Sequence, residues 1–315
     1  MKPQERPLAG PGRPVRVIST DAGIDDALAL IFLHRFCVPP PDYVVATGGN
    51  VPVRSVAGNC ALLKELFGFT ARLFAGSDPP GLALTGDAAH VHGRHGLGNL
   101  RSPDATLPPV SELTAELKDS RAAVEMLVLG PATDAAHIIE EAGLASRLTN
   151  VLMMGGAFDE RRGRLGNVTP FAEFNVYMDP QAAWRLIRQA PGCRLVPLDA
   201  TERRLFRLDE LLAGVGQGRR GRLAGGLLAY LRDAHVRLGS GDGVYMHDVL
   251  AAAVWADLIS AEWRSARVRE IVPAGEHRGM VLRDGPTATR VLYAHRTAEK
   301  AFLDLWHEMS RSLLT

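Results

Sequence analysis

Five short apolar or β-branched runs alternate along this chain with stretches of helical periodicity, and few folds accommodate that order. Val15–Ile18, Tyr43–Thr47, Met126–Leu129, Asn150–Met153 and Arg194–Pro197 read as buried strands. Ala27–Phe36, Val56–Phe67, Thr133–Glu141, Pro180–Gln189 and Val249–Ile259 read as helices. A strand followed by a helix, repeated, returns each strand parallel to the last, because the crossover packs back onto the sheet. The expectation is an α/β protein: an open, mostly parallel, Rossmann-like sheet with helices on both faces. Two stretches leave this rhythm. Residues 76–120 are rich in Pro, Gly and His, and residues 205–243 are helical but charged and glycine-studded.

Composition agrees with one sizeable core. Of 315 residues, 46% are hydrophobic and 23% charged, and no repeat or low-complexity linker divides them. The expected organisation is a flexible arm over residues 1–14, rich in Pro, Gly and Arg, then a single domain over residues 15–315. The arm lacks the apolar centre of a signal peptide, and no apolar run nears the roughly 20 residues of a membrane helix. A formal net charge of +1 gives no electrostatic reason to expect nucleic acid or a membrane surface as a partner. Cys37, Cys60 and Cys193 have no metal-like spacing, so reduced, partly buried thiols in a cytoplasmic protein are expected.

The stretch VRVISTDAGIDDALALIFLHR, from Val15 to Arg35, places Asp21, Asp25 and Asp26 where a strand hands over to a helix. Taken singly, Asp21 reads as a turn residue, and Asp25 and Asp26 as first-turn acids favoured by the helix dipole. Three together repel and raise one another's pKa unless a cation lies between them. No lysine or arginine occurs between Ser19 and Arg35 to supply that charge. Crowded oxygen ligands suit a hard cation, Ca²⁺ or Mg²⁺, and DAGIDD lacks the alternating ligands of an EF-hand loop.

Four other stretches supply possible partners. VATGGN ends at Asn50, LVLGPATD makes a Gly-Pro turn after Leu129, GNVTPFAEFN carries Asn167, Glu173 and Asn175, and YMHDVLA sets His247 and Asp248 at a helix start. Each alone has an ordinary structural reading as a turn residue, a surface acid or a helix cap. What they share is position. Most follow a strand, at the carboxyl edge where open parallel sheets bind ligands.

With these residues assembled, the sequence resembles the inosine–uridine nucleoside hydrolase family from Val15 to near the C-terminus. STDAGIDDA stands where the family has DTDPGIDDA. TGGNVPV, HVHGRHGLGN, LGPATD, GNVTPFAEFN and MHDVLA follow in the family's order, with departures at Ser19, Ala22, Asp134 and Val249. The resemblance implies hydrolysis of the N-glycosidic bond of ribonucleosides to base and ribose, with Ca²⁺ as cofactor, in nucleoside salvage. It also implies a homodimer or homotetramer. Position by position, it implies calcium held by Asp21, Asp26, Asp248 and the Leu129 carbonyl, with Asp21 also the general base toward the attacking water. Asp25 would grip the ribose 2′-hydroxyl, while Asn50, Met154, Asn167, Glu173 and Asn175 would line the sugar pocket. His247 would face the leaving base, His92 would sit in a mobile loop closing over it, and His235, Val236 and Tyr245 would wall it.

The residue types fit that chemistry. Breaking a C1′–N bond passes through an oxocarbenium-like sugar, which anionic Asp25 favours. A departing base needs a proton, a task suited to a histidine titrating near neutrality. A haloacid-dehalogenase-type phosphatase also places acids after its first strand, but its nucleophilic aspartate would fall at Ser19. Two further readings keep the pocket and change its use. One is a nucleotide N-glycosidase, with Arg161, Arg162 and Arg164 meeting the phosphate, and the other is a nucleoside- or sugar-binding protein without turnover.

Overall fold

A computed structural model describes residues 12–159 and 165–313. Nine strands form one sheet: β1 (Val15–Thr20), β2 (Tyr43–Ala46), β3 (Arg72–Ala75), β4 (Val124–Val128), β5 (Leu148–Met154), β6 (Arg194–Val196), β7 (Ala261–Ile271), β8 (Val281–Arg283) and β9 (Thr289–Thr297). The helices of the first half are α1 (Ile24–Phe36), α2 (Val53–Phe67), α3 (Pro80–Thr85), α4 (Ala89–His92), α5 (Val110–Asp119) and α6 (Thr133–Glu141). Those of the second half are α7 (Phe174–Met178), α8 (Pro180–Gln189), α9 (Leu198–Thr201), α10 (Leu208–Leu212), α11 (Arg219–Arg237), α12 (His247–Trp255) and α13 (Glu299–Leu313).

The strand order is β3-β2-β1-β4-β5-β6-β9-β7-β8, parallel from β3 through β9, with β7 antiparallel to both β9 and β8. The mostly parallel α/β expectation is met, and the five expected strands match β1, β2, β4, β5 and β6. Alternation along each strand builds two cores. Val15 and Val17 of β1 join the layer of α5, α6 and α8, whereas Ile18 joins the layer of α1, α2, α11, α12 and α13. Strands buried on both faces are apolar at nearly every position, which is why these read clearly.

Corrections follow from burial. Helix α1 starts at Ile24 rather than Ala27, because both first-turn aspartates are buried within it. The last expected helix begins at His247 and stops at Trp255, since Asp257 takes a left-handed φ of 55°. Helices α10 and α11 fill the second charged stretch, and α3, α4 and α5 the first. The expected arm lies outside the described residues up to residue 11. Near its end, Arg13 is already anchored to Asp42 at 2.9 Å.

β1 is the turning point of the sheet. Its neighbours β2 and β4 lie on opposite sides, and α1 and α6 leave β1 and β4 toward opposite faces. The two strand ends therefore diverge and open a crevice beyond Thr20 and Val128.

Candidate active site

Asp21 enters the crevice directly from β1 and is 1% exposed. Its Oδ2 accepts the Asn50 backbone N–H at 2.7 Å, while its Oδ1 is buried without a partner. Only glycine fits beside it: a Cβ on Gly130 would lie 2.9 Å from Asp21 Oδ1, and one on Gly49 would collide with Oδ2. Asp26, in the first turn of α1, is fully engaged. Its Oδ1 accepts the Thr20 hydroxyl at 2.6 Å, and its Oδ2 accepts Gly23 N–H at 3.0 Å and the Asn50 side-chain amide at 3.1 Å. Asp25 Oδ1, like Asp21 Oδ1, has no donor. Asp248 reaches in from the first turn of α12, and one oxygen each from Asp25, Asp26 and Asp248 lie within 4.8 Å of one another.

Burial is the first cause, and repulsion from neighbouring aspartates the second, of raised proton affinity at Asp21, Asp25 and Asp248. The Asp25 carboxyl is pushed up to about 7, and those of Asp21 and Asp248 well above the usual carboxylate range. Such a set holds protons or a cation. Two oxygens without hydrogen-bond partners and an all-carboxylate cluster with no lysine or arginine among them, only the His92 ring 3.8 Å from Asp25 Oδ1, fit a hard divalent ion. The closest triad contains Asp25 rather than Asp21, so the expected ligand set and the tightest cluster overlap at Asp26 and Asp248 only. The Leu129 carbonyl, the other expected ligand, accepts the Asn175 side-chain amide at 2.6 Å.

A cavity of about 480 Å³ reaches the cluster at Asp25. Of the expected site residues, Asp25, His92, Asn167, His235 and His247 form its walls. Asn50, Met154, Glu173 and Asn175 do not, and neither do Asp21, Asp26, Leu129 and Asp248. Asn50 serves Asp21 and Asp26, and Asn175 also reaches the Met154 carbonyl at 3.2 Å. Glu173 caps α7, accepting N–H groups of Asn175 at 2.8 Å and of Val176 and Gly156 at 3.0 Å. Burial nevertheless raises its carboxyl to about 7. Asn167 sits at the exposed rim, where its Oδ1 accepts Phe174 N–H at 3.0 Å.

The imidazoles are oriented by their second nitrogens. His92 is the last residue of helix α4, not part of a loop, and its Nδ1 accepts Ile24 N–H at 3.1 Å. In the neutral ring this leaves Nε2–H as its donor. His235 Nδ1 faces the Gly243 carbonyl at 3.1 Å, and a carbonyl only accepts, so Nε2 is its free acceptor. His247 Nδ1 lies 2.7 Å from the Thr201 hydroxyl. Burial, reinforced by His235 and His92, lowers the His247 pKa to about 3. The expected histidine titrating near neutrality is therefore an uncharged ring at rest. Tyr245 bridges His235 and His247, with ring centroids 5.4 and 5.6 Å away. Val236 is 47% exposed and turns away from the cavity, against expectation.

Sequence reasoning missed Thr201, and with it His90, Glu202 and Ser240 in the cavity wall. A signal existed for Thr201 and Glu202. Both follow β6, a strand legible in the sequence, at the same carboxyl edge that carries the other site residues. Ser19, where the dehalogenase-type reading would need an aspartate, is 1% exposed and its hydroxyl has no partner. Arg161, Arg162 and Arg164 lie outside the described residues.

The family profile described as "Inosine-uridine preferring nucleoside hydrolase" matches residues 17–304. "Uridine nucleosidase 1" of Arabidopsis thaliana is 32% identical over 267 residues, covering 80% of this chain and 77% of that protein. "Non-specific ribonucleoside hydrolase RihC" of Salmonella agona is 29% identical over 245 residues, covering 75% and 76%. Among solved structures, "Plant nucleoside hydrolase - PpNRh1 enzyme" superposes with a TM-score of 0.80 at 23% identity, covering 95% of this chain and 99% of that one. "Purine-Preferring Ribonucleoside Hydrolase from Gardnerella vaginalis" gives 0.77 at 22% identity, covering 94% and 99%. At such identities, the superpositions speak for the fold.

Proposed function

This chain belongs to the inosine-uridine preferring nucleoside hydrolase family, and from that membership we propose how its site works. The protein is an N-glycosidic hydrolase of ribonucleosides. The finer reading is that hydrolysis depends on Ca²⁺ and that Asp21, Asp26 and Asp248, with the Leu129 carbonyl, hold it. The observation carrying this reading is Asp21 Oδ1, buried without a partner at the crevice beside β1, together with the clustering of Asp26 and Asp248. When bound, the cation supplies Lewis acidity toward the attacking water and offsets repulsion among the carboxylates.

The side chains divide the remaining work. Asp21 takes the proton of the attacking water at Oδ1, and Asp25 accepts the ribose 2′-hydroxyl. The same anions favour the positive charge that grows on the sugar as the C1′–N bond lengthens. Asn50 orients the acids, and Asn175 steadies the Leu129 carbonyl beneath the ribose. Asn167 meets the sugar from the rim, and Met154 and Glu173 support the floor. His247 delivers a proton to the departing base; the negative charge accumulating there restores the proton affinity that burial removes. His92 and His235 present a donor and an acceptor to the base.

The same reading takes residues 15–315 as one domain and places a homodimer or homotetramer in cytoplasmic nucleoside salvage. All three cysteines are free and buried, and no helix among the described residues is long and apolar enough to cross a membrane. Ribose release from a panel of purine and pyrimidine nucleosides, with and without chelator, tests the proposal. Turnover lost on chelation and restored by calcium is expected. Full turnover in chelator would overturn the cation's role.

A further inference from the structure

Thr201 is 0% exposed at the end of α9, in the layer beneath the cavity. A valine would fill the same volume without burying a hydroxyl, and a buried hydroxyl is costly unless it is used. Two groups use this one. Its Oγ1 lies 3.4 Å from the Pro197 carbonyl and 2.7 Å from His247 Nδ1. The carbonyl can only accept, so one consistent order of donors runs from His247 Nδ1–H to Thr201 Oγ1 and from Thr201 O–H to Pro197. In that order, Nδ1 keeps its proton throughout. Nε2, on the opposite edge of the ring, is the atom that gains or loses one. Tyr245 flanks the ring 5.6 Å away, and His247 forms part of the cavity wall.

We propose that Thr201 is a positioning residue for His247, fixing its ring in the Nδ1–H form with Nε2 presented to the departing base. The catalytic half of this proposal rests on reading His247 as the group that protonates the base. In that step Nε2, unprotonated at rest, takes up a proton from solvent in the cavity as negative charge grows on the base; that N–H bond then breaks and a new N–H bond forms on the base nitrogen. The C1′–N electron pair stays with the base, and neutral His247 keeps Nδ1–H on Thr201. Without Thr201 the ring can flip or exchange tautomers, and Nε2 is no longer held in place.

Two readouts separate this role from packing. In full-length enzyme labelled with ¹⁵N-histidine, the His247 signals are identified by their absence in His247→Gln. Wild type and Thr201→Ser should give the Nδ1–H signature, and Thr201→Val a mixture or the Nε2–H form. An unchanged signature in Thr201→Val overturns the proposal whatever the activity. In kinetics, Thr201→Val should lower kcat on inosine and uridine by about 10- to 100-fold, with p-nitrophenyl riboside, whose leaving group needs little protonation, changed less than about threefold. Thr201→Ser should restore nucleoside turnover to within about threefold of wild type. Equal losses on both substrate types overturn positioning toward the leaving group. If His247→Gln itself affects both types equally, the acid reading fails, and the tautomer signature still decides the role of Thr201.

Discussion

Stripping the cation should make stability fall as pH rises toward neutrality, a trend set by the buried acids. Burial first, and the charge of Asp26 second, lift the Asp25 carboxyl from 3.8 to about 7, and Asp21 and Asp248 move the same way. In the unfolded chain such groups ionise near pH 4. Between there and neutrality, the folded state holds protons that the unfolded state has released, so each step up in pH favours unfolding. A shift the size of that at Asp25 corresponds to about 4 kcal/mol, an upper bound because neighbouring acids share protons. A bound cation replaces those protons, and at 100 times its Kd contributes about 2.7 kcal/mol. At roughly 2.1 cal/mol/K per residue, that is about 4 °C in Tm for a chain of this length. Thermal melts from about pH 5 to about pH 8, in chelator and in calcium, read both effects. Chelated protein should melt lower at each higher pH, and calcium should flatten the curve and raise its upper end. Asp25→Asn in chelator should melt above wild type near pH 8 despite losing activity, because one repelling charge is gone. Parallel curves with and without calcium, or an Asp25→Asn protein that melts lower, would refute the electrostatic reasoning.

Other outcomes follow from single side chains. Asp21→Asn keeps the acceptor for Asn50 N–H but cannot take a proton, so kcat should drop by about 10²- to 10⁴-fold with circular dichroism unchanged; near-normal turnover would exclude Asp21 as the base. 2′-Deoxyinosine should be a poor substrate, because Asp25 keeps its desolvation cost without a hydroxyl partner; rates matching inosine would remove that role. Nucleoside 5′-monophosphates should resist hydrolysis beside so many buried acids, and equal rates on uridine and its monophosphate would count against a nucleoside site. Glu173→Gln sets an amide where three backbone N–H groups need acceptors, and should cost about 1–3 kcal/mol in urea unfolding; a neutral effect would mean the cap is not used.

Legibility in the sequence tracks burial. Strands β1, β2, β4, β5 and β6 are readable because both faces are covered and the apolar run is hardly interrupted. β7 and β9 are not, since an exposed face puts Arg267 opposite Arg290 and breaks the pattern with charge. The carboxylate cluster stands out because three like charges without a local counterion are unusual in six residues. Roles that depend on packing are hidden. Nothing local marks Thr201 as the partner of a ring 46 positions away. Glu173 resembles a sugar ligand in sequence, and only the α7 geometry reveals a cap. His92 resembles a loop residue because a helix of four residues has too few positions for a periodic signal.

Helix α1 has no solvent-facing side from Ile24 through Leu33, and it packs on α12, which carries His247 and Asp248. The reactive acids are thus embedded in the part of the molecule least able to change without unfolding. The other side chains that would meet a base, His92 on α4 and His235 on α11 with Tyr245 beyond it, come from elements other than α1 and α12, joined by glycine-rich connections. Chemistry and choice of base are thereby separable in heredity. With His92 and His235 meeting the base as proposed, changes on α4 and α11 would alter which nucleosides are accepted while the acids of α1 and α12 stay in place.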